Sequence, residues 1–88
     1  MENVTPNSDI EIVITGASRG IGFELVKCFA REGHNVLALS RNDNPINSLK
    51  LNKVKAFSFD LGKIEDYKKV ENFVKTEWGH VDVLINNT

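Results

Sequence analysis

Short runs of apolar residues alternate along this chain with longer stretches in which apolar residues recur at helical spacing. Four of the short runs predict strands that are buried on both faces, as in a parallel sheet. These predicted strands cover residues 10–15, 35–40, 54–59 and 81–86. The amphipathic stretches predict helices over residues 19–32 and 63–78, and Asp43-Asn44-Pro45 predicts the start of a shorter helix over residues 46–51. The chain therefore alternates strands with helices.

This alternation predicts an α/β fold, a parallel sheet flanked by helices. With right-handed crossovers, the four strands take the Rossmann-type order 3-2-1-4. Ligands of such sheets bind beyond the carboxyl ends of the strands, where the winding direction reverses. Polar residues or glycine stand at all four of these ends, namely Thr15-Gly16, Ser40-Arg41, Asp60-Leu61 and Asn86-Asn87. We therefore expect a ligand site along this edge of the sheet.

The turn after the first predicted strand carries three glycines, Gly16, Gly20 and Gly22. Gly16 suits the sharp turn off the strand, Gly20 admits a ligand close to the backbone, and Gly22 permits close packing of helix and sheet. Together with the N-terminus of the following helix, such a turn is typical of a phosphate or pyrophosphate site. The alternative interpretation is a glycine-rich connection that binds no ligand.

The composition is that of one small domain, with 88 residues and a net charge of −1. This charge gives no reason to expect nucleic acid or an anionic membrane as a partner. The single cysteine, Cys28, favours a reducing, cytoplasmic setting, and neither it nor the two separated histidines indicates a metal site. Residues 1–9 are expected to form a flexible leader, because they are polar and interrupted by Pro6.

Three motifs in register resemble those of the short-chain dehydrogenase/reductase family. Residues 15–22 resemble its cofactor glycine motif, Asp60-Leu61 its adenine-binding pair, and residues 78–87 the segment that leads into its Asn-Asn-Ala-Gly motif. The resemblance implies that residues 10–88 form a dinucleotide-binding segment that is truncated after the fourth strand. It implies cofactor contacts for Gly16, Ser18, Arg19, Gly20, Ile21, Gly22, Ser40, Arg41, Asp60, Leu61, Asn86 and Asn87.

The same resemblance favours NADP(H) over NAD(H) as the cofactor. Family members that use NAD carry an acid at the position of Ser40, and Arg19 and Arg41 are both expected near the adenosine ribose. The alternative is that both arginines are merely solvated. Asp60 has two interpretations as well, as an acceptor for adenine or as a turn residue that caps a helix. The two asparagines are expected to be partly structural, as braces of the fourth strand.

The function implied by the resemblance is the cofactor-binding part of an oxidoreductase, whose complete form transfers hydride between the cofactor and a carbonyl or alcohol. In the family, the catalytic serine, tyrosine and lysine follow the Asn-Asn motif. Tyr67 is not that tyrosine, because Glu71 stands where Tyr-x-x-x-Lys requires lysine. In addition, Thr88 replaces the alanine that the family has after Asn-Asn. We therefore expect no catalytic residue and no turnover from this chain itself. The alternative is a non-catalytic nucleotide-binding or protein-interaction module of the same fold.

The fourth predicted strand is an open edge in the order 3-2-1-4. Its residues Val81, Val83, Leu84 and Ile85 nevertheless have the apolar character of a central strand. Unpaired apolar edges invite pairing with another chain. The sequence therefore predicts self-association through this edge, or else a segment that is only marginally folded.

Overall fold

A four-stranded parallel sheet with the order β3-β2-β1-β4 forms the centre of the computed structural model, which describes residues 10–60 and 62–87. The strands are β1 (Glu11–Thr15), β2 (Asn35–Ser40), β3 (Val54–Ser58) and β4 (Val83–Ile85). The helices are α1 (Gly20–Arg31), α2 (Asn44–Asn47) and α3 (Ile64–Phe73), and a π-helical turn (Val74–Trp78) continues α3. The predicted fold class and strand order are confirmed. The leader over residues 1–9, Leu61 and Thr88 lie outside the described residues.

Helices cover both faces of β1 and β2, which explains the buried apolar runs in these two strands. Side chains alternate between the two faces of a strand, so Ile12 and Ile14 pack with Val26 of α1, whereas Val13 packs with Leu37 and Leu39 on the other face. The residues of α3 and its continuation that cover this second face are Val70, Phe73, Val74 and Trp78. Because all four strands are parallel, their carboxyl ends lie together at one edge of the sheet.

The predicted helix over residues 63–78 changes its geometry near its end. It is α-helical only to Phe73 and then widens into the π-helical turn. Gly79 has the left-handed conformation (φ +82°), and its N–H donates to the carbonyl of Val74 at 2.7 Å, five residues earlier. The rings of Phe73 and Trp78 meet edge to face, with their centroids 5.4 Å apart. The wider turn therefore places Trp78 against Phe73 over the sheet.

Strand β4 is half as long as the predicted strand over residues 81–86, and side chains of Asp82 and Thr15 take part in the hydrogen bonds at its two ends. Before the strand, the N–H of Glu11 donates to Oδ2 of Asp82 at 2.9 Å. After the strand, the N–H of Asn87 donates to Oγ1 of Thr15 at 3.0 Å. Regular pairing is thus confined to the three residues opposite Ile12–Ile14.

In the part of the chain that the structure describes, no helix combines the length and the apolar character needed to cross a membrane.

Candidate functional site

A cleft of about 990 Å³ opens at the carboxyl ends of the strands. Its lining includes most of the residues expected to contact a cofactor, namely Gly16, Ser18, Arg19, Gly20, Ile21, Ser40, Arg41, Asp60 and Asn87. Leu39 and Phe59 add apolar walls, and Thr15, Asn42 and Gly62 complete the lining. The structure therefore gathers residues from the ends of four strands into one cavity. Gly22 and Asn86 are not part of this lining, and Leu61 lies outside the described residues.

The turn between β1 and α1 forms one wall of the cleft. Gly16 and Gly20 have left-handed backbone conformations, with φ angles of +61° and +62°, which a residue with a Cβ adopts only at a cost. Between them, the N–H of the buried Ala17 donates to the carbonyl of Leu39 at 3.1 Å and ties the turn to β2. Helix α1 begins with no acidic residue in its first turn and without a side-chain cap from Arg19. An anion is the natural partner for the N–H groups of such a helix start.

Gly22 is buried behind this turn instead of facing the cleft. A Cβ at this position would come within 2.6 Å of the carbonyl oxygen of Gly16 and within 2.5 Å of Nδ2 of Asn87. From the sequence, we expected glycine at position 22 to permit close packing of helix and sheet. In the structure, the absence of a Cβ at Gly22 leaves space for the glycine turn and for the side chain of Asn87.

Hydrogen bonds of Thr15 and Asn87 connect the end of β4 to the same turn. Oγ1 of Thr15 donates to Oδ1 of Asn86 at 2.9 Å and accepts the N–H of Asn87 at 3.0 Å. The side-chain amide of Asn87 donates to the carbonyl of Gly16 at 3.2 Å. The two asparagines therefore brace the turn, and Asn87 also reaches the cleft wall.

The loop after β2 carries Arg41 to the mouth of the cleft. The hydroxyl of the buried Ser40 donates to the carbonyl of Asn42 at 2.7 Å, so Ser40 stabilises this loop. From β3, the hydroxyl of Ser58 donates to the carbonyl of Arg41 at 3.1 Å. The side chains of Arg41 and, from the glycine turn, Arg19 are exposed and border the same cavity. Their positive charge favours an anionic ligand group there.

Asp60 follows β3 and borders the cleft beside Phe59. Its Oδ1 accepts the N–H of Gly62 at 2.9 Å, which is the turn role that the sequence allowed. Its own N–H donates to Oδ2 of Asp66 at 2.8 Å. Sequence reasoning assigned no site role to Asp66, or to Ser58 at the end of β3, because neither stands at a motif position. The one available signal was the placement of Asp66 in the acidic first turn of α3.

A second group of titratable side chains lies at the opposite end of the sheet. Nε2 of His80 is 3.1 Å from Oε1 of Glu11 and 3.3 Å from Oδ1 of Asp82. The hydrogen bond from the backbone N–H of Glu11, together with the nearby His80, lowers the pKa of Asp82 below its ordinary value of 3.8. Asn35 of β2 donates to the other oxygen of Glu11 at 3.1 Å. The cluster thus ties β4, β1 and β2 together where these strands begin.

Known proteins resemble this chain in sequence and in structure. Farnesol dehydrogenase of Aedes aegypti is 37% identical over 82 residues, covering 85% of this chain and 34% of that protein. The NADPH-dependent 1-acyldihydroxyacetone phosphate reductase of Saccharomyces cerevisiae is 35% identical over 81 residues, covering 85% of this chain and 27% of that protein. Among solved structures, a 4-hydroxyisoleucine dehydrogenase complexed with NADH matches with a TM-score of 0.73 and 29% identity, covering 86% of this chain and 32% of that one.

The chain spans between 27% and 34% of the length of these three relatives. The family model described as short chain dehydrogenase matches residues 11–88, which is nearly the whole sequence. The matched region contains the glycine turn, the Asp60 loop and the two asparagines that the structure brings together. The chain belongs to the short-chain dehydrogenase family of oxidoreductases, which bind nicotinamide dinucleotide cofactors.

Proposed function

We propose that residues 10–88 bind NADP(H) as the cofactor-binding part of an enzyme that interconverts a carbonyl and an alcohol. The cofactor supplies the hydride, and this part of the enzyme binds and orients the cofactor. The observation that carries the proposal is the charge at the cleft mouth. Arg19 and Arg41 border one cavity, and of the lining residues within 10–60 and 62–87 only Asp60 is acidic.

The parts of a dinucleotide fit different walls of the cleft. The glycine turn and the N-terminus of α1 suit the pyrophosphate, because Gly20 leaves open space where a side chain would stand. The apolar walls of Leu39 and Phe59, with the carboxylate of Asp60 beside them, suit the adenine. The two arginines suit the 2′-phosphate that distinguishes NADP from NAD.

The cofactors of the relatives leave the choice between NADP(H) and NAD(H) open. The yeast reductase is NADPH-dependent by name, whereas the 4-hydroxyisoleucine dehydrogenase was solved with NADH. The choice must therefore come from the residues around the ribose. In this chain the position at the end of β2 holds Ser40, whose hydroxyl is engaged with the carbonyl of Asn42. No carboxylate stands at that position to repel a 2′-phosphate.

The test is a titration of the chain with NADP(H) and with NAD(H). We expect tighter binding of NADP(H) by roughly 10- to 150-fold, which corresponds to one charge-assisted hydrogen bond. Arg41→Ala and Arg19→Ala should each reduce this preference and leave NAD(H) binding nearly unchanged. Arg31→Ala is the matched control, because Arg31 is an exposed arginine of α1 that does not line the cleft.

Equal affinity for the two cofactors, or a preference that survives both arginine substitutions, would contradict the assignment of NADP(H). A second candidate function, a non-catalytic interaction module, is favoured by the exposed side chains of β4, since Leu84 is 66% exposed. Absence of dinucleotide binding together with association through β4 would support that module instead.

A further inference from the structure

We infer that Asp66 is a positioning residue for adenine recognition, because it holds the backbone of Asp60 from the first turn of α3. The inference rests on the proposed function, in which Asp60 is the acceptor for the adenine base. Asp66 itself is not one of the residues that line the cleft. Its effect on the ligand is therefore exerted through Asp60.

The contact between the two residues is short and shielded. Oδ2 of Asp66 accepts the backbone N–H of Asp60 at 2.8 Å, across six positions of the sequence. The side chain of Asp66 is only 16% exposed, and Nζ of Lys69 lies 3.6 Å from its other oxygen. A hydrogen bond to a charged acceptor is stronger than one between neutral groups. The end of β3 is thereby fixed to the start of α3.

The remaining bonds of Asp60 leave one carboxylate oxygen for a ligand. Its backbone carbonyl accepts the N–H of Lys63 at 3.0 Å, and its Oδ1 accepts the N–H of Gly62 at 2.9 Å. Among the described residues, Oδ2 of Asp60 accepts no hydrogen bond. With its N–H, its carbonyl and Oδ1 all engaged, Asp60 presents Oδ2 from a fixed backbone.

An acid in the first turn of a helix often serves the helix alone, by bonding to the N-cap residue. Here the N-cap is Lys63, and the carboxylate of Asp66 bonds three residues before it. The contact therefore restrains the segment that borders the cleft. Glu65 offers the matched comparison, since it lies in the same turn and is exposed.

The chemistry of the base provides a readout that a merely structural role would not change. At position 6, adenine carries an amino group that donates to a carboxylate, whereas hypoxanthine carries a carbonyl oxygen that only accepts, so a carboxylate facing this position favours adenine. The ratio of the affinities for NADPH and for its hypoxanthine analogue therefore reports how well Asp60 is placed. A general loss of stability would weaken both ligands together.

The experiment measures the binding of NADPH and of nicotinamide hypoxanthine dinucleotide phosphate, in its reduced form, by fluorescence titration of the 88-residue chain. The parent chain should prefer the adenine form by about tenfold, and Asp66→Ala should lower this preference by about three- to tenfold. Asp66→Asn keeps an acceptor oxygen and should restore most of the preference. Glu65→Ala should leave it unchanged.

The outcomes separate this inference from the proposed function. Absence of NADPH binding by the parent chain would overturn both. Binding without any adenine preference would overturn the role of Asp60, and the inference with it, while dinucleotide binding would stand. An adenine preference that Asp66→Ala leaves intact would overturn the inference alone. If Asp66→Ala does not fold by circular dichroism, Asp66→Ser, which suits a first helical turn and shortens the acceptor, decides between the same outcomes.

Discussion

The side-chain amide of Asn87 occupies the space beside Gly22 that a Cβ would need, since a Cβ built there lies 2.5 Å from Nδ2. The same amide donates to the carbonyl of Gly16 at 3.2 Å. Gly22 and Asn87 lie on different elements, the first turn of α1 and the loop after β4. Their contact joins the glycine turn to the strand beside it, so the shape of the cleft depends on both.

Gly22→Ala should therefore destabilise the chain and weaken cofactor binding together. The added methyl group would push Asn87 away from Gly16, and overpacking of this kind costs about 1–3 kcal/mol. Urea unfolding would measure the loss of stability, and cofactor titration would measure the loss of affinity.

Gly20→Ala is the informative control, because a Cβ at Gly20 meets no atom within 4 Å. The loss of stability in Gly20→Ala should come from the left-handed backbone alone, at about 1–2 kcal/mol. If Gly22→Ala is as stable as the parent chain, the packing argument for Gly22 is wrong.

We expect the chain to bind cofactor without reducing a carbonyl. Proton transfer to a substrate oxygen requires a positioned donor, and the single tyrosine, Tyr67, lacks a lysine four positions later. Its ring instead packs edge to face against Phe59, with the centroids 5.1 Å apart. A panel of carbonyl substrates with NADPH should show no turnover, with a longer family member as the positive control. Measurable reduction of any of these substrates would refute this expectation.

The stability of the chain should fall in acid partly through Asp82. The pKa of Asp82 is lowered in the folded state from its ordinary value of 3.8, so Asp82 stabilises the fold when the pH is above 3.8. That contribution is lost as the pH falls from 3.8 through the lower folded-state pKa. The free energy of unfolding should thus decline less steeply with acid in Asp82→Asn than in the parent chain. His80→Gln, which keeps the bond between Asp82 and the backbone of Glu11, should retain most of the parent slope. Equal slopes for the parent chain and Asp82→Asn would disprove the role of Asp82.

Self-association should depend on β4 and not on exposed apolar side chains in general. Leu84 of β4 and Ile64 of α3 are 66% and 71% exposed, so the two positions are matched in exposure. A lysine on an edge strand opposes pairing with a second chain. Leu84→Lys should shift the chain towards monomer in sedimentation experiments, whereas Ile64→Lys should not. A parent chain that is monomeric at high concentration would contradict the prediction.

The elements that sequence could predict are those in which local pattern and burial coincide. The apolar runs of β1, β2 and β3 lie within one residue of their predicted bounds, and helices cover both faces of β1 and β2. Their order followed from the handedness of the connections. The positions of Gly16, Ser40 and Asp60 at one edge of the sheet followed in turn.

The parts that sequence could not predict depend on individual contacts, which the spacing of apolar residues does not reveal. At the two ends of β4, Asp82 and Thr15 bond to residues 71 and 72 positions away. The π-helical turn depends on the left-handed Gly79 and on the pairing of Phe73 with Trp78. The support that Asp66 gives to Asp60 depends on how the loop after β3 folds back. None of these contacts can be inferred from the spacing of apolar and polar residues along the chain.

The position of β4 beside β1 also determines how the sheet can assemble while the chain is being synthesised. Partners in β1 and β2 are separated by 24 residues, whereas Glu11 and Asp82 are separated by 71. Until residue 85 has left the ribosome, the second edge of β1 has no partner from its own sheet. That edge belongs to the apolar segment Ile12-Val13-Ile14, and open apolar edges are templates for aggregation. During synthesis, the second edge of β1 therefore gains its partner strand only after almost all of the 88 residues have been made.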